Sequence, residues 1–280
     1  MPETDPLPLL VVQHQENCPP ALFATWLSAT GLELDVRRPG RGDALPTDLA
    51  AHAGLLVLGG SMGAHDDATY PWLPLTKGLV SHAVEAARPT LGICLGHQLA
   101  CVALGVESRP NPRGKTVGAR SIGWRAGAVD DPLCRDVFAD PDALVAHWNV
   151  DVVRELPEGA AVLAATADLA TQVVRLGTLA WGVQFHPEVD HALVCEWAEE
   201  DRSASAEPAT ELRGSQRHSD GRAARDPATP DRSASAENGD GGGVDLDHEL
   251  QQLKDSEEQL LRTGRMFAEA FARIVREDRR

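Results

Sequence analysis

The chain has 280 residues and carries 42 acidic against 26 basic side chains, a formal net charge of −16. Such a field repels phosphate backbones and anionic bilayers, so neither nucleic-acid nor membrane-surface binding is expected, and no apolar run nears the roughly 20 residues that span a bilayer. The length suits one large domain with a substantial core. The five cysteines lack paired spacing and the start at Met1–Pro8 is acidic and unlike a secretory signal, which together point to a reducing, cytoplasmic setting.

Apolar runs and their punctuation predict the elements in order. Leu9–Val12 reads as a buried first strand, Ala21–Thr30 as a helix, Leu32–Val36 as a short strand and Gly54–Leu58 as a third strand. A glycine-rich turn, Gly59-Gly60-Ser61-Met62-Gly63, follows. A helix over about Thr76–Ala87 precedes an apolar run that ends at Cys94, and a further apolar helix, Leu99–Leu104, follows it. Shorter β-type pieces occupy 115–185. The last two, Thr171–Arg175 and Leu179–Val183, form a predicted hairpin that leads to His186. Strands alternating with helical stretches predict an α/β fold: one mostly parallel twisted sheet with helices on both faces. Ligands in such sheets bind at the carboxyl ends of the strands, where Gly59, Gly60 and Cys94 fall.

From 201 to 243 the composition changes to Ser, Ala, Asp, Arg, Pro and Gly, and the heptapeptide Asp201–Glu207 recurs verbatim as Asp231–Glu237. Too little apolar surface is present to order such a segment, so it reads as a disordered insertion. Apolar positions return at helical spacing over Asp247–Glu277, predicting one helix that folds back on the main domain. The expected organisation is a domain over 1–200, the insertion over 201–243 and the helix within 244–280.

The chemistry concentrates in Gly92-Ile93-Cys94-Leu95-Gly96-His97-Gln98. G-x-C-x-G between strand and helix is the cysteine form of a nucleophile elbow, a strained turn whose flanking positions exclude bulky side chains. The following helix presents its dipole and free N–H groups to the sulfur, which favours thiolate. His186 and Glu188, two residues apart, supply a base and a carboxylate to orient it. The backbone N–H groups of the Gly60 turn and of Leu95 suit a developing oxyanion. His97 and Cys101 read as structural, and Cys18, Cys134 and Cys195 show no metal-ligand spacing. No metal and no cofactor are expected, and no glycine-rich phosphate loop ending in Lys-Ser/Thr is present.

The ordered motifs LGG, GICLGHQ and VQFHPE resemble those of the class I, triad-type glutamine amidotransferases over roughly residues 7–200. Met62–Leu73 and Ser121–Trp124 resemble the stand-alone set related to the glutaminase domain of GMP synthetase. The resemblance implies a flavodoxin-like core. It implies that Cys94 attacks the side-chain amide of glutamine while His186 acts as base and then acid, with Glu188 orienting it. A γ-glutamyl thioester would form and be hydrolysed to glutamate, with ammonia released. The substrate contacts implied lie at Gly59, Gln98 and the His147-Trp148 segment, where Asn149 departs from the histidine often found in relatives. L-Glutamine, or another γ-glutamyl compound, is the expected ligand, and a separate synthetase subunit the expected ammonia acceptor. Two other functions fit the same residues: a self-sufficient hydrolase of γ-glutamyl amides or peptides, and a non-catalytic regulatory module. Asp66–Trp72, with Tyr70 and Trp72, is the expected partner contact.

Overall fold

The computed structural model describes residues 6–206 and 244–278. Seven strands form the main sheet in the order β2-β1-β3-β4-β11-β10-β9. They are β1 (Leu9–Val12), β2 (Leu34–Arg37), β3 (Gly54–Val57), β4 (Thr90–Ile93), β9 (Ala161–Ala165), β10 (Thr171–Arg175) and β11 (Ala180–Val183). From β2 to β11 every pairing is parallel, and β10 and β9 extend the edge antiparallel. Two small antiparallel pairs stand apart: β5 (Ser108–Pro110) with β8 (Asp151–Val153), and β6 (Thr116–Ser121) with β7 (Leu144–Asn149).

Strands covered on both faces must be apolar throughout, and β1, β3, β4 and β11 are buried at every position. Alternation then sorts their side chains into two layers. Leu9 and Val11 pack with Phe23 and Leu27 of α1 (Ala21–Ala29) and with Phe267, Phe271 and Ile274 of α7 (Glu257–Asp278). Leu10 and Val12 meet Leu73, Leu79 and Val80 of α2 (Trp72–Glu85) and Leu99 of α3 (Leu95–Ala103). A short α4 (Arg135–Phe138) adds Val137 to the first layer. A third cluster joins Trp197 and Ala198 of α5 (His191–Ala206) to Leu250 and Leu253 of α6 (Leu246–Asp255).

Several boundaries differ from expectation. The α2 helix begins at Trp72, before the expected Thr76, with Pro71 at its cap and Pro74 in its first turn. Proline is harmless there because first-turn N–H groups have no intrahelical acceptor. The second strand slides to Leu34–Arg37, and Leu32 is buried in the turn before it. The expected single C-terminal helix is two, broken at Ser256. Ser256-Glu257-Glu258-Gln259 has the S-x-x-Q pattern of a capping box, a local start signal in an otherwise helical run. Asp245 caps α6 by accepting from the His248 N–H at 3.1 Å.

Residues 201–206, expected within the insertion, instead complete α5. Asp201 pairs with Lys115 and Arg202 with Asp247, so neighbouring elements hold a turn that composition alone leaves unordered. Residues 207–243, including the second copy Asp231–Glu237, lie outside the described residues.

Candidate active site

Cys94 caps α3 at the carboxyl end of β4 with φ 49° and ψ −106°, a conformation that costs a non-glycine residue about 1–3 kcal/mol. Its N–H donates to Val183 O at 2.8 Å and its carbonyl accepts from the Gln98 N–H at 3.1 Å. The turn closes because its two glycines lack Cβ atoms. At Gly92 a Cβ would lie 2.5 Å from Gly96 O, and at Gly96 it would overlap the Val57 carbonyl. The Leu95 N–H sits in the first turn of α3, where no intrahelical acceptor exists.

Beyond β11 the chain bends at Gln184 and Phe185. The His186 N–H then donates to Ala146 O at 2.8 Å, and a turn covers Pro187 and Glu188. The expected pairing of His186 with Glu188 is therefore made in a bend rather than along an extended strand. Imidazole Nδ1 lies 2.8 Å from Glu188 Oε1, with both residues buried. Burial opposes a charge on His186, but the Glu188 carboxylate and the Cys94 sulfur outweigh it and raise its pKa to about 10. The Trp197 ring meets the imidazole edge-on at 4.8 Å between centroids.

Gly59 lies beneath both groups. A Cβ there would be 2.9 Å from His186 Cε1 and 3.7 Å from Cys94 Cβ. Gly60 is the next residue of the turn and faces the cavity. That cavity, of about 350 Å³, opens onto Cys94, His186, Gln98, Trp148 and Asn149, and reaches Asp201 on α5. His147 is absent from the cavity wall. It is buried behind it, its Nδ1 3.4 Å from Asn149 Oδ1 and its ring edge-on to Phe185. Burial lowers its pKa to about 4.

Gln98 donates through Nε2 to Asp151 O at 3.0 Å and to Gln184 Oε1 at 3.3 Å. His97 and Cys101 are buried as expected, with His97 Nε2 3.1 Å from Thr171 Oγ1. Burial pushes the Cys101 thiol up to about 12. Tyr70, expected at a partner surface, is only 6% exposed and packs in the layer of α2 and α3.

Four groups not expected at the site also reach it. Cys18, Lys115 and Glu200 line the cavity, and Gln184 lies against the sulfur. Lys115 Nζ sits 3.7 Å from the Trp148 ring centroid and pairs with Asp201. Burial, with the charges of Cys94, Glu188 and Glu200 nearby, pushes the Cys18 thiol up. Only Gln184, inside the VQFHPE motif, carried a sequence signal. Among the described residues, no group of three or more His, Cys, Asp or Glu is arranged to hold a metal ion. Nor is any helix long and apolar enough to cross a membrane.

Residues 26–194, more than half of the chain, match the family described as glutamine amidotransferase class-I. The chain belongs to the class I glutamine amidotransferase family. It is an enzyme of glutamine amide hydrolysis in the general sense of that family. Glutamine amidotransferase-like protein YfeJ of Salmonella typhimurium is 29% identical over 180 residues, covering 63% of this chain and 74% of YfeJ. GMP synthase [glutamine-hydrolyzing] of Porphyromonas gingivalis is 29% identical over 149 residues, covering 53% of this chain but only 27% of that protein. A glutamine amidotransferase from Methylobacillus flagellatus superposes with a TM-score of 0.73 at 23% identity, covering 96% of each chain. The amidotransferase fold is thus shared nearly throughout, whereas the likeness to GMP synthase spans about a quarter of that enzyme.

Proposed function

We propose that Cys94, His186 and Glu188 form a catalytic triad that hydrolyses the side-chain amide of L-glutamine. What carries the reading is the strained Cys94 backbone at the head of α3 with the His186–Glu188 pair beside it. The Cys94 thiolate adds to the amide carbon, and the Gly60 and Leu95 N–H groups stabilise the oxyanion. His186 gives its proton to the departing ammonia, leaving a γ-glutamyl thioester. Water, deprotonated by His186, adds to the thioester carbonyl and expels the thiolate, releasing glutamate. Glu188 accepts from Nδ1 and keeps Nε2 available to the reacting atoms. Gly59, Gln98 and Trp148 shape the substrate site.

Ammonia passes, in this reading, to a separate acceptor enzyme, which accords with the short share of GMP synthase that the chain matches. Five free cysteines accord with the cytoplasm as the compartment. A second reading, hydrolysis of larger γ-glutamyl amides, is favoured by the extent of the cavity from Cys94 to Asp201. The test is glutamate release from L-glutamine by the native chain and Cys94→Ala. Release that the substitution lowers by three or more orders of magnitude supports the triad, and turnover retained in Cys94→Ala rejects it. If the native chain turns over γ-glutamyl amides but not glutamine, the second reading takes its place.

A further inference from the structure

Gln184 is fully buried, and its N–H is tied to Gln172 O at 2.9 Å. Its amide orientation follows from its neighbours. The Asp151 carbonyl can only accept, so the Gln98 atom 3.0 Å from it is the amide nitrogen. The second hydrogen of that nitrogen points to Gln184, which must offer its oxygen, at 3.3 Å. The Gln184 nitrogen is thereby left facing Cys94 Sγ at 3.7 Å. Asn149 Nδ2 also donates to Asp151 O, at 3.1 Å, fixing the far end of the relay.

We infer that Gln184 is a further catalytic residue, a side-chain donor to the Cys94 sulfur held in orientation by Gln98. A donor to the charged form favours that form, and a donor to an ionised acceptor is the stronger kind of hydrogen bond. Gln184 therefore favours the thiolate before attack and again when the thiolate leaves the thioester. Gln98 is then a positioning residue as well as a wall of the cavity. The inference rests on Cys94 being the nucleophile.

Among the described residues, the titratable groups that share the cavity with the sulfur are His186 after β11, Cys18 from the loop before α1, Lys115 from the loop before β6, and Glu200 and Asp201 of α5, with Glu188 behind His186. All of them stay in place in the variants below. The test is the pH dependence of alkylation by iodoacetamide, with the modified residue located by mass spectrometry. In Gln184→Met the pH midpoint for Cys94 is expected to rise by about one unit relative to the native chain. In Gln184→Glu, which keeps the shape but turns a carboxylate toward the sulfur, it should rise further. Gln98→Met leaves Gln184 in place but frees its amide, and should raise the midpoint in the same direction, guarding against a Gln184 variant that fails to fold. Equal midpoints in all four chains, with Cys94 still the preferred site, would overturn the role of Gln184 alone. If the native chain shows no preference for Cys94 over its other cysteines, the nucleophile reading falls and this role with it.

Discussion

At Gly59 one methyl group decides whether the imidazole can stand beside the sulfur. An added Cβ would lie 2.9 Å from His186 Cε1. The ring has little freedom to retreat, because Glu188 holds Nδ1 at 2.8 Å and Trp197 packs against it at 4.8 Å between centroids. Gly59→Ala should therefore lower kcat for glutamine hydrolysis on the order of 100-fold, as misplacing a catalytic group by about an ångström can, a loss out of proportion to any fall in melting temperature. Steady-state glutamate release and a thermal melt check this, and an unchanged kcat would mean that His186 does not act as the base. At Gly60 the same atom meets the Met62 Sδ at 2.9 Å and the Leu95 Cδ2 at 3.1 Å, both ends of side chains rather than the base itself, so Gly60→Ala should cost less. The elbow was legible in the sequence because its requirement is local: two glycines at fixed offsets let the backbone pass where a Cβ could not. The orientation of Gln184 was not legible. It depends on Gln98 and Asp151 from other elements, and no local pattern encodes which end of an amide faces a sulfur.

Among the elements, α7 packs against the turn that follows β11. A Cβ at Gly264 would overlap the carbonyl of Pro187, between His186 and Glu188, so the helix lies directly on the turn that carries both. Gly264→Ala must push α7 back or deform that turn, an overpacking expected to cost about 1–3 kcal/mol and to lower activity together with stability. Gly78, inside α2, has nothing within 4 Å of an added Cβ. Gly78→Ala should instead stabilise by about 0.5–1 kcal/mol through helix propensity alone. Urea denaturation of the two variants tests both signs, and a neutral Gly264→Ala would show that the contact is slack. Strands such as Leu9–Val12 were readable because burial on both faces forces continuous apolar runs. The break at Ser256 was not: the flanking Lys254, Asp255, Glu257 and Glu258 are all tolerated in a helix, and the capping pattern was overridden by helical periodicity on both sides. Tyr70 was misread for a related reason, since an aromatic in a polar loop looks available until the fold shows that it fills the layer beneath α2.

For the whole molecule, acid is the informative perturbation. His14, His97 and His147 are buried, and burial lowers each pKa to about 4 from an ordinary 6.5. Folded values below the unfolded one mean that their contribution is intact above pH 6.5 and is lost as pH falls toward 4. At pH 5.5 the unfolded chain gains about 1.4 kcal/mol per histidine, or roughly 4 kcal/mol for the three. Protonation of carboxylates would relieve the net charge of −16, but most carboxyl groups ionise near pH 4, below this window. His186, whose pKa in the fold is raised to about 10, stays protonated there while its unfolded form titrates near 6.5, so it returns about 1.4 kcal/mol as pH falls from 7.5 to 5.5. The three buried histidines still outweigh it, and urea stability should fall by roughly 3 kcal/mol between pH 7.5 and 5.5. Both ring nitrogens of His14 are buried without a hydrogen-bond partner, so His14→Met removes no hydrogen bond and should recover about half of the net loss. A stability that does not fall between the two pH values would mean that these histidines titrate normally.

The contact of Gly264 with Pro187 also sets an order in time. A ribosome delivers Cys94, His186 and Glu188 well before the helix that supports their turn, and at roughly 5–20 residues per second the wait is on the order of ten seconds. Nascent chains stalled between Glu188 and Gly264 would carry every residue proposed for the chemistry and still lack its backing. The amidase would then switch on late in synthesis, with ammonia released by finished molecules and withheld by fragments.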